Sequence, residues 1–289
     1  MTPTSLHAHA FWHQLDAHHR DWLFNRAQQH QQKPPNDWVA WYADTRLLGW
    51  VPQTRAEQMV VFLPGCNLAN AKLVWSTAHQ NGLQRSHDLQ AFLQDQAARG
   101  RLQGWRDEFF CLWESPTLPP NPQIPPWLCV ERAGFRHLGL MSHAVHINGF
   151  CADGSLWCGH RAHDKPTDPG LFDNLSAGGL PAGEDALCTA HRELKEEAGF
   201  TCSPQHAMSW AGGVRTQRIE PQGWHDEILC VYNLDVPSTF KPVNQDGEVQ
   251  GFYRWQPAEV LDRMQAGQFT HDAVQALCQG LGLHGLSDN

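Results

Sequence analysis

Apolar residues recur along this chain with two periods, and the change from one to the other marks its elements. Near the N-terminus Phe11, Leu15, Trp22, Leu23 and Ala27 can line one side of a helical run rich in Gln and His. The run ends at Lys33-Pro34-Pro35, which predicts helix over about the first 33 residues. The pattern then shortens to alternation. Trp38 to Tyr42, Leu47 to Val51, Met59 to Phe62 and Lys72 to Trp75 carry strand formers and predict a small sheet. Ser86 to Arg99 reads as a capped helix closed by Gly100, and Trp105 to Trp113 as a further strand. Pro116, Pro119, Pro120, Pro122, Pro125 and Pro126 crowd the next stretch into a semi-rigid connector. The expected division is therefore an α+β accessory domain over 1–126 and a second domain over 127–289.

Alternation resumes beyond the connector. Ser142 to Phe150 and Ser155 to Arg161 flank Asp153-Gly154, the signature of a hairpin. Trp210 to Val214, Asp226 to Leu234 and Gly251 to Trp255 predict strands, and Ala258 to Ala266 and Thr270 to Gly280 predict helices. Between these lies the most informative stretch. Gly178, Gly179, Pro181 and Gly183 form a turn-rich loop, Asp185 to Ala198 lacks Gly and Pro, and Gly199 is a good helix stop. Leu187, Ala190, Leu194 and Ala198 make one apolar stripe. Glu193, Glu196 and Glu197 stand at i, i+3 and i+4, which groups three carboxylates on a face beside it. Like charges so placed repel unless a cation sits among them, and hard oxygen ligands suit Mg2+ or Mn2+ better than zinc.

Gly178, Glu184 and Arg192-Glu193-Leu194-Lys195-Glu196-Glu197-Ala198-Gly199-Phe200 stand at the spacing of the Nudix box, and a chance match at every specified position is of order 10⁻⁹ per start site. The chain resembles a Nudix hydrolase. The resemblance implies an α/β/α sandwich and hydrolysis of a diphosphate linked to another group. It implies Glu193, Glu196 and Glu197 as metal ligands, one of them also serving as base, with the backbone beside Gly178 as a further ligand. Arg192 and Glu184 then brace loop against helix. A later acid often completes such a site; Glu248 is the first candidate and Glu227 the second. Arg161 and Lys165, just upstream, are placed to meet phosphate oxygens.

A narrower resemblance runs through His146 to Phe150, Leu156-Trp157, Arg161, Lys165, Pro169 to Asn174, Pro242-Val243-Asn244 and Asp246 to Val249, and reaches back to Gly104 through Glu108. It is to the Nudix portion attached to fungal thiamine pyrophosphokinase and to its plant and bacterial relatives. His160 and Phe150 depart from that pattern. It implies thiamine diphosphate, or its oxo and oxythiamine analogues, as substrate, cleaved to the monophosphate and phosphate. The chain has thirteen tryptophans. Trp210, Trp224 and Trp255 are candidates to stack on such a ring, against the alternative that they pack in the core. A nucleotide sugar or dinucleotide hydrolase, and a sensor that binds without cleaving, are the competing functions.

Composition narrows the partners. The net charge of −9 without a long basic run disfavours nucleic acid. No stretch of apolar residues is long enough to span a membrane. Nine dispersed cysteines without a CxxC motif, and an N-terminus lacking an apolar signal core, predict reduced thiols in a cytoplasmic protein. His143 and His146 have ligand-like spacing but no converging partners, so structural roles are expected for them. The expected partner is a small diphosphate, bound by a monomer or homodimer.

Overall fold

The computed structural model describes residues 5–114, 118–121, 123–165, 167–203 and 206–284. Two helices open the chain, α1 (Leu6–Gln14) and α2 (Ala17–Ala27). The single expected run breaks at Leu15 because the Asp16 carboxylate accepts the His19 N–H at 2.8 Å and starts a new helix. A four-stranded sheet follows, made by β1 (Trp38–Ala43), β2 (Arg46–Pro52), β3 (Cys66–Ala69) and β4 (Lys72–Trp75), in the order β2-β1-β4-β3. Helices α3 (Gln53–Phe62) and α4 (Gly82–Ala98) belong to the same region. Met59 to Phe62, expected as a strand, lies in α3. Ala56 and Met59 turn inward three residues apart while Val61 is 88% exposed, a helical and not an alternating pattern. The cap of α4 is Asn81, in a capping box with Gln84, so this helix begins earlier than Ser86 suggested.

Strands β5 (Phe109–Leu112) and β6 (Leu128–Glu131) pair across the proline-rich stretch. Pro116 and Pro122 of that stretch lie outside the described residues. Cys111 faces Cys129 in this pair and the two form a disulfide. The expectation of reduced thiols throughout is therefore corrected. The partners are 18 residues apart with no motif between them, and only strand pairing brings them together. The other seven cysteines are free.

After α5 (Arg132–Leu138) come β7 (Met141–Phe150), β8 (Leu156–Arg161), β9 (Phe172–Asp173), β10 (Ser176–Gly179), α6 (Ala186–Ala198), β11 (Met208–Glu220), β12 (Gly223–Asp235), β13 (Val249–Trp255), α7 (Pro257–Gln265) and α8 (His271–Gly280). The sheet order is β11-β12-β7-β8-β13, with β10 added on β7 and β9 on β8. Strand β7 alternates between two layers. Val145 and Ile147 pack with Ala190 and Leu194 of α6, whereas Ala144 packs with Ala276 of α8. The expected α/β/α sandwich is formed.

Packing does not divide the chain at residue 126. The core of the first sheet continues through Val130, Phe135 and Leu138 to Met141 and reaches Ile228 on β12. Conversely Phe11, Leu15 and Leu23 from α1, its C-terminal end and α2 pack with Phe150, Val260 and Leu277. A connector rich in proline constrains the local path, but burial of apolar surface decides which segments share a core.

The seam is close enough to require glycine. A Cβ on Gly49 of β2 would lie 2.2 Å from the Gly139 carbonyl oxygen, and Gly139 itself has φ +65° at the end of α5. Both groups at this contact are backbone and neither can rotate away. Gly49→Ala should lower stability by about 1–3 kcal/mol, read as a lower thermal midpoint; an unchanged midpoint would mean that the two backbones are not in contact in solution.

Candidate active site

Helix α6 is fixed at both ends by its own sequence. Asp185 accepts the Cys188 N–H at 2.7 Å, and Gly199 closes the helix at φ +67°. Ala190, Leu194 and Ala198 of its expected stripe pack with Val145 and Ile147 of β7, with Ala186 in place of the exposed Leu187, which turns Glu193 and Glu197 toward β10. Glu197 is buried, and its carboxylate accepts the Ala177 N–H at 2.9 Å. Glu193 lies over Gly178 so closely that a Cβ there would fall 2.1 Å from the carboxyl carbon. Glu196 is about half exposed, 3.0 Å from the Arg192 guanidinium, which also reaches Glu193 at 2.9 Å. The same guanidinium meets Glu184 at 3.1 and 3.2 Å, so the loop before α6 is tied to the helix.

Burial dominates the electrostatics here. It pushes the Glu193 carboxyl up to about 7 against the pull of Arg192, and the Glu197 carboxyl up to about 8, with the Glu193 charge adding to the rise. Arg192 neutralises part of the cluster but does not reach Glu197. A buried carboxylate that accepts a backbone N–H, above a glycine edge with no side chain in the way, fits a hard divalent cation.

Glu248, just before β13, comes to the same place. Burial alone would raise its carboxyl, but contact with Lys165, and then the Arg106 and Arg132 charges, hold it below its ordinary value. Arg106 is 4.0 Å from it. Glu197, Glu248, Lys165 and Arg161 line one small cavity with Ala177. Arg161 is engaged on all three guanidinium nitrogens, by Asp173 at 3.0 Å and by the Thr167 and Asp168 carbonyls at 2.9 and 3.2 Å. It shapes the loop that carries Lys165.

A larger cavity of about 230 Å³ opens beside Gly178. Arg161, Lys165 and Asp173 line one side, Ser142, Ala144 and His146 of β7 the floor, and Glu227, Arg218 and Asp272 the far end. The remaining wall comes from Arg106, Phe110, Arg132, Phe135 and Arg136, contributed by the N-terminal half. A Cβ on Gly179 would fall 2.3 Å from the Phe110 ring, so this wall is seated directly on β10. These wall residues and His146 were not singled out as site residues from the sequence. The Gly104 to Glu108 stretch and the motif beginning at His146 were the signals there, and neither carried a site role.

The tryptophans are placed elsewhere. Trp255 is buried among Phe172, Phe269 and Tyr253, with Arg263 4.1 Å over its ring. Trp210 packs on Tyr232, and Trp224 is buried near Trp38. Among the described residues no tryptophan lines the larger cavity. Glu227 lies at the far end of that cavity, apart from the box carboxylates, and accepts a hydrogen bond from Ser142 at 2.7 Å. Burial raises its carboxyl, and Asp272 adds to the rise.

His225, Glu227 and Asp272 bring ligand-type atoms within 4.8 Å of one another. They do not fit a metal. Arg136 donates to His225 Nδ1 at 3.1 Å, which leaves the proton on Nε2, and the Arg218 guanidinium takes both Asp272 oxygens at 2.7 and 2.9 Å. A fixed cation already occupies the place of the metal charge.

Residues 143–277 match the family model described as the NUDIX domain. This segment is similar to a Nudix domain. The box glutamates, Glu248, Ala144 and His146 lie within it, and Ser142 directly precedes it. The chain is 32% identical over 192 residues to Nudix hydrolase 24, chloroplastic, of Arabidopsis thaliana, covering 65% of this chain and 51% of the relative. It is 34% identical over 157 residues to Nudix hydrolase 20, chloroplastic, of the same plant, covering 53% and 40%. The chain thus spans about half the length of the curated relatives it matches. The solved structure of DR0079 from Deinococcus radiodurans aligns with a TM-score of 0.45 at 19% identity, covering 60% of this chain and 98% of that one.

The expectation of a cytoplasmic protein is overturned, since both plant relatives are named chloroplastic. Lack of an apolar signal core could not exclude this, because transit peptides are amphipathic and not apolar. No helix among the described residues is long and apolar enough to cross a membrane.

The raised Glu193 and Glu197 carboxyls give a signed prediction. In the absence of metal the folded chain holds protons that the unfolded chain, titrating near 4.5, has released. Stability should therefore fall as pH rises from about 5 to about 8. Mg2+ needs the ionised carboxylates, so it should raise the thermal midpoint more at the upper end of that range than at the lower. A midpoint rise equal at both ends would remove these two groups from the metal site.

Proposed function

We propose that the chain is a divalent-metal-dependent diphosphatase acting on a heterocyclic diphosphate of the thiamine diphosphate type. The observation that carries this reading is that Glu197, Glu248 and Lys165 share one small cavity, and that Arg161, Lys165, Asp173 and Ala177 line both it and the larger cavity beside Gly178. The similarity to a Nudix domain and relatives named Nudix hydrolases support the diphosphatase chemistry. The thiamine-type substrate rests on the narrower sequence resemblance.

In this reading Glu193, Glu196 and Glu197, with the backbone beside Gly178, hold Mg2+, with Mn2+ as the alternative. The ion supplies neutralisation of the diphosphate charge and activation of water. Lys165 and Arg106 meet the phosphate oxygens, and Arg161 keeps the Lys165 loop in place. Glu248, held ionised by its cationic neighbours, accepts a hydrogen bond from the attacking water and orients it toward phosphorus. Water adds across the P–O–P anhydride, and the products are a monophosphate ester and inorganic phosphate. Arg192 and Glu184 hold the helix and loop in register while charge shifts. The non-phosphate group occupies the larger cavity against the wall from the N-terminal half.

Phosphate release with Mg2+ should be measured over thiamine diphosphate, oxythiamine diphosphate, ADP-ribose, a nucleotide sugar and a dinucleotide polyphosphate. A higher kcat/KM for the thiamine-type compounds is expected; preference for a nucleotide would leave the metal chemistry and remove that substrate. Glu197→Gln should lower kcat by at least about 100-fold without unfolding the chain. Retained activity would sink the metal assignment. Gly178→Ala should behave similarly, because its methyl group displaces the Glu193 carboxyl.

A further inference from the structure

We infer that Glu227, Ser142 and His146 form a specificity wall that reads N–H donors on the heterocycle of the substrate. The inference rests on the proposal that a diphosphate lies at the Gly178 end of the cavity. It assigns the other end.

The three residues are brought together by strand register. Ser142, Ala144 and His146 face the same side of β7, and Glu227 on β12 stands opposite Ser142 in the parallel pair. The proton positions follow from the hydrogen bonds. Ser142 Oγ lies 2.7 Å from Glu227 Oε1 and donates to it, so the hydroxyl retains only lone pairs for a ligand. His146 Nδ1 is 2.8 Å from Asn174 Oδ1. The Asn174 amide nitrogen is already donating, to Asn148 Oδ1 at 2.8 Å and to the Ala273 carbonyl at 3.3 Å. Asn174 Oδ1 is therefore the acceptor and His146 Nδ1 the donor. The ring nitrogen left for a ligand is Nε2, an acceptor in the neutral ring.

All three groups thus offer acceptors. The cations at this end are engaged within the protein. Arg218 holds Asp272 at 2.7 and 2.9 Å and Glu220 at 2.6 Å; Arg136 holds Glu220 at 2.9 Å and His225 at 3.1 Å. The two ends of the cavity are complementary to different chemistry, with Lys165 at one, the Glu227 and Ser142 acceptors at the other, and His146, in register with Ala177, between them. Phe110 and Phe135, edge to face at 5.7 Å, add a flat apolar wall to the same cavity. An aromatic ring bearing an amino group or ring N–H satisfies both features, whereas a ligand without donors leaves buried acceptors unpaired.

The test uses the full chain in EDTA, so that binding is read without turnover. Thiamine monophosphate, ribose 5-phosphate and inorganic phosphate are titrated calorimetrically into wild type, Glu227→Gln and Ser142→Ala. Wild type should bind thiamine monophosphate at least about tenfold more tightly than ribose 5-phosphate. Glu227→Gln keeps the shape but can turn an amide donor toward the ligand donor. It should lose about tenfold or more for thiamine monophosphate while inorganic phosphate is unaffected. Ser142→Ala should weaken the same ligand selectively, and it decides the matter if the Gln variant does not fold. Three results would overturn the inference: unchanged affinity in the folded variants, equal wild-type affinity for ribose 5-phosphate, or no wild-type binding of thiamine monophosphate. Selective binding without hydrolysis of the diphosphate would overturn the proposed activity and leave this wall standing.

Discussion

The arrangement depends on the burial of two carboxylates against a glycine edge. Helix α6 can approach β10 closely because Gly178 has no side chain, and its apolar stripe holds it there. That approach removes Glu197 from water, where its carboxylate accepts the Ala177 N–H. The apolar packing of α6 therefore bears the electrostatic cost of the site. A protein evolved only for stability would place an apolar or neutral residue here, since an uncompensated buried charge is strongly unfavourable. The acid at this place is intelligible in the proposed reading, in which a hard cation would be held by it.

The same logic explains why cations surround the cavity without collapsing onto its acids. Arg192 is shared among Glu184, Glu193 and Glu196, and Arg161 is locked by Asp173 and two carbonyls. Each guanidinium holds a loop or helix end in place through several directed bonds, which a single lysine could not do. Lys165 differs in carrying a compact charge, paired with Glu248, which in the proposed reading transfers to a phosphate oxygen.

The N-terminal half acquires a purpose from the packing. Its sheet shares a core with the segment leading into β7, and the Cys111–Cys129 bridge ties β5 to β6 beside it. Phe110 is thereby pressed on Gly179, and Arg106, Arg132 and Phe135 are brought to the mouth and wall of the cavity. The matched segment, with Ser142 just before it, supplies the carboxylates and the floor, and the larger cavity is lined by residues of both halves.

What the sequence determined by itself was local. The carboxylate face of α6, its Asp185 and Gly199 ends, the Glu184–Arg192 brace and the Asp153-Gly154 hairpin follow from spacings within one or two turns, and the backbone has few ways to satisfy them. Glu248 was legible as a candidate through the motif around it, though nothing local placed it beside Lys165. Tertiary structure decided the rest. It put Met59 to Phe62 in a helix, joined Cys111 to Cys129, buried Trp224 and Trp255, and turned His146 and Glu227 into one wall. The disulfide and the wall depend on which strands pair and in what register, between residues 85 apart in the case of Ser142 and Glu227. Register between distant strands is set by burial summed over the whole core, and no short window of sequence contains that sum.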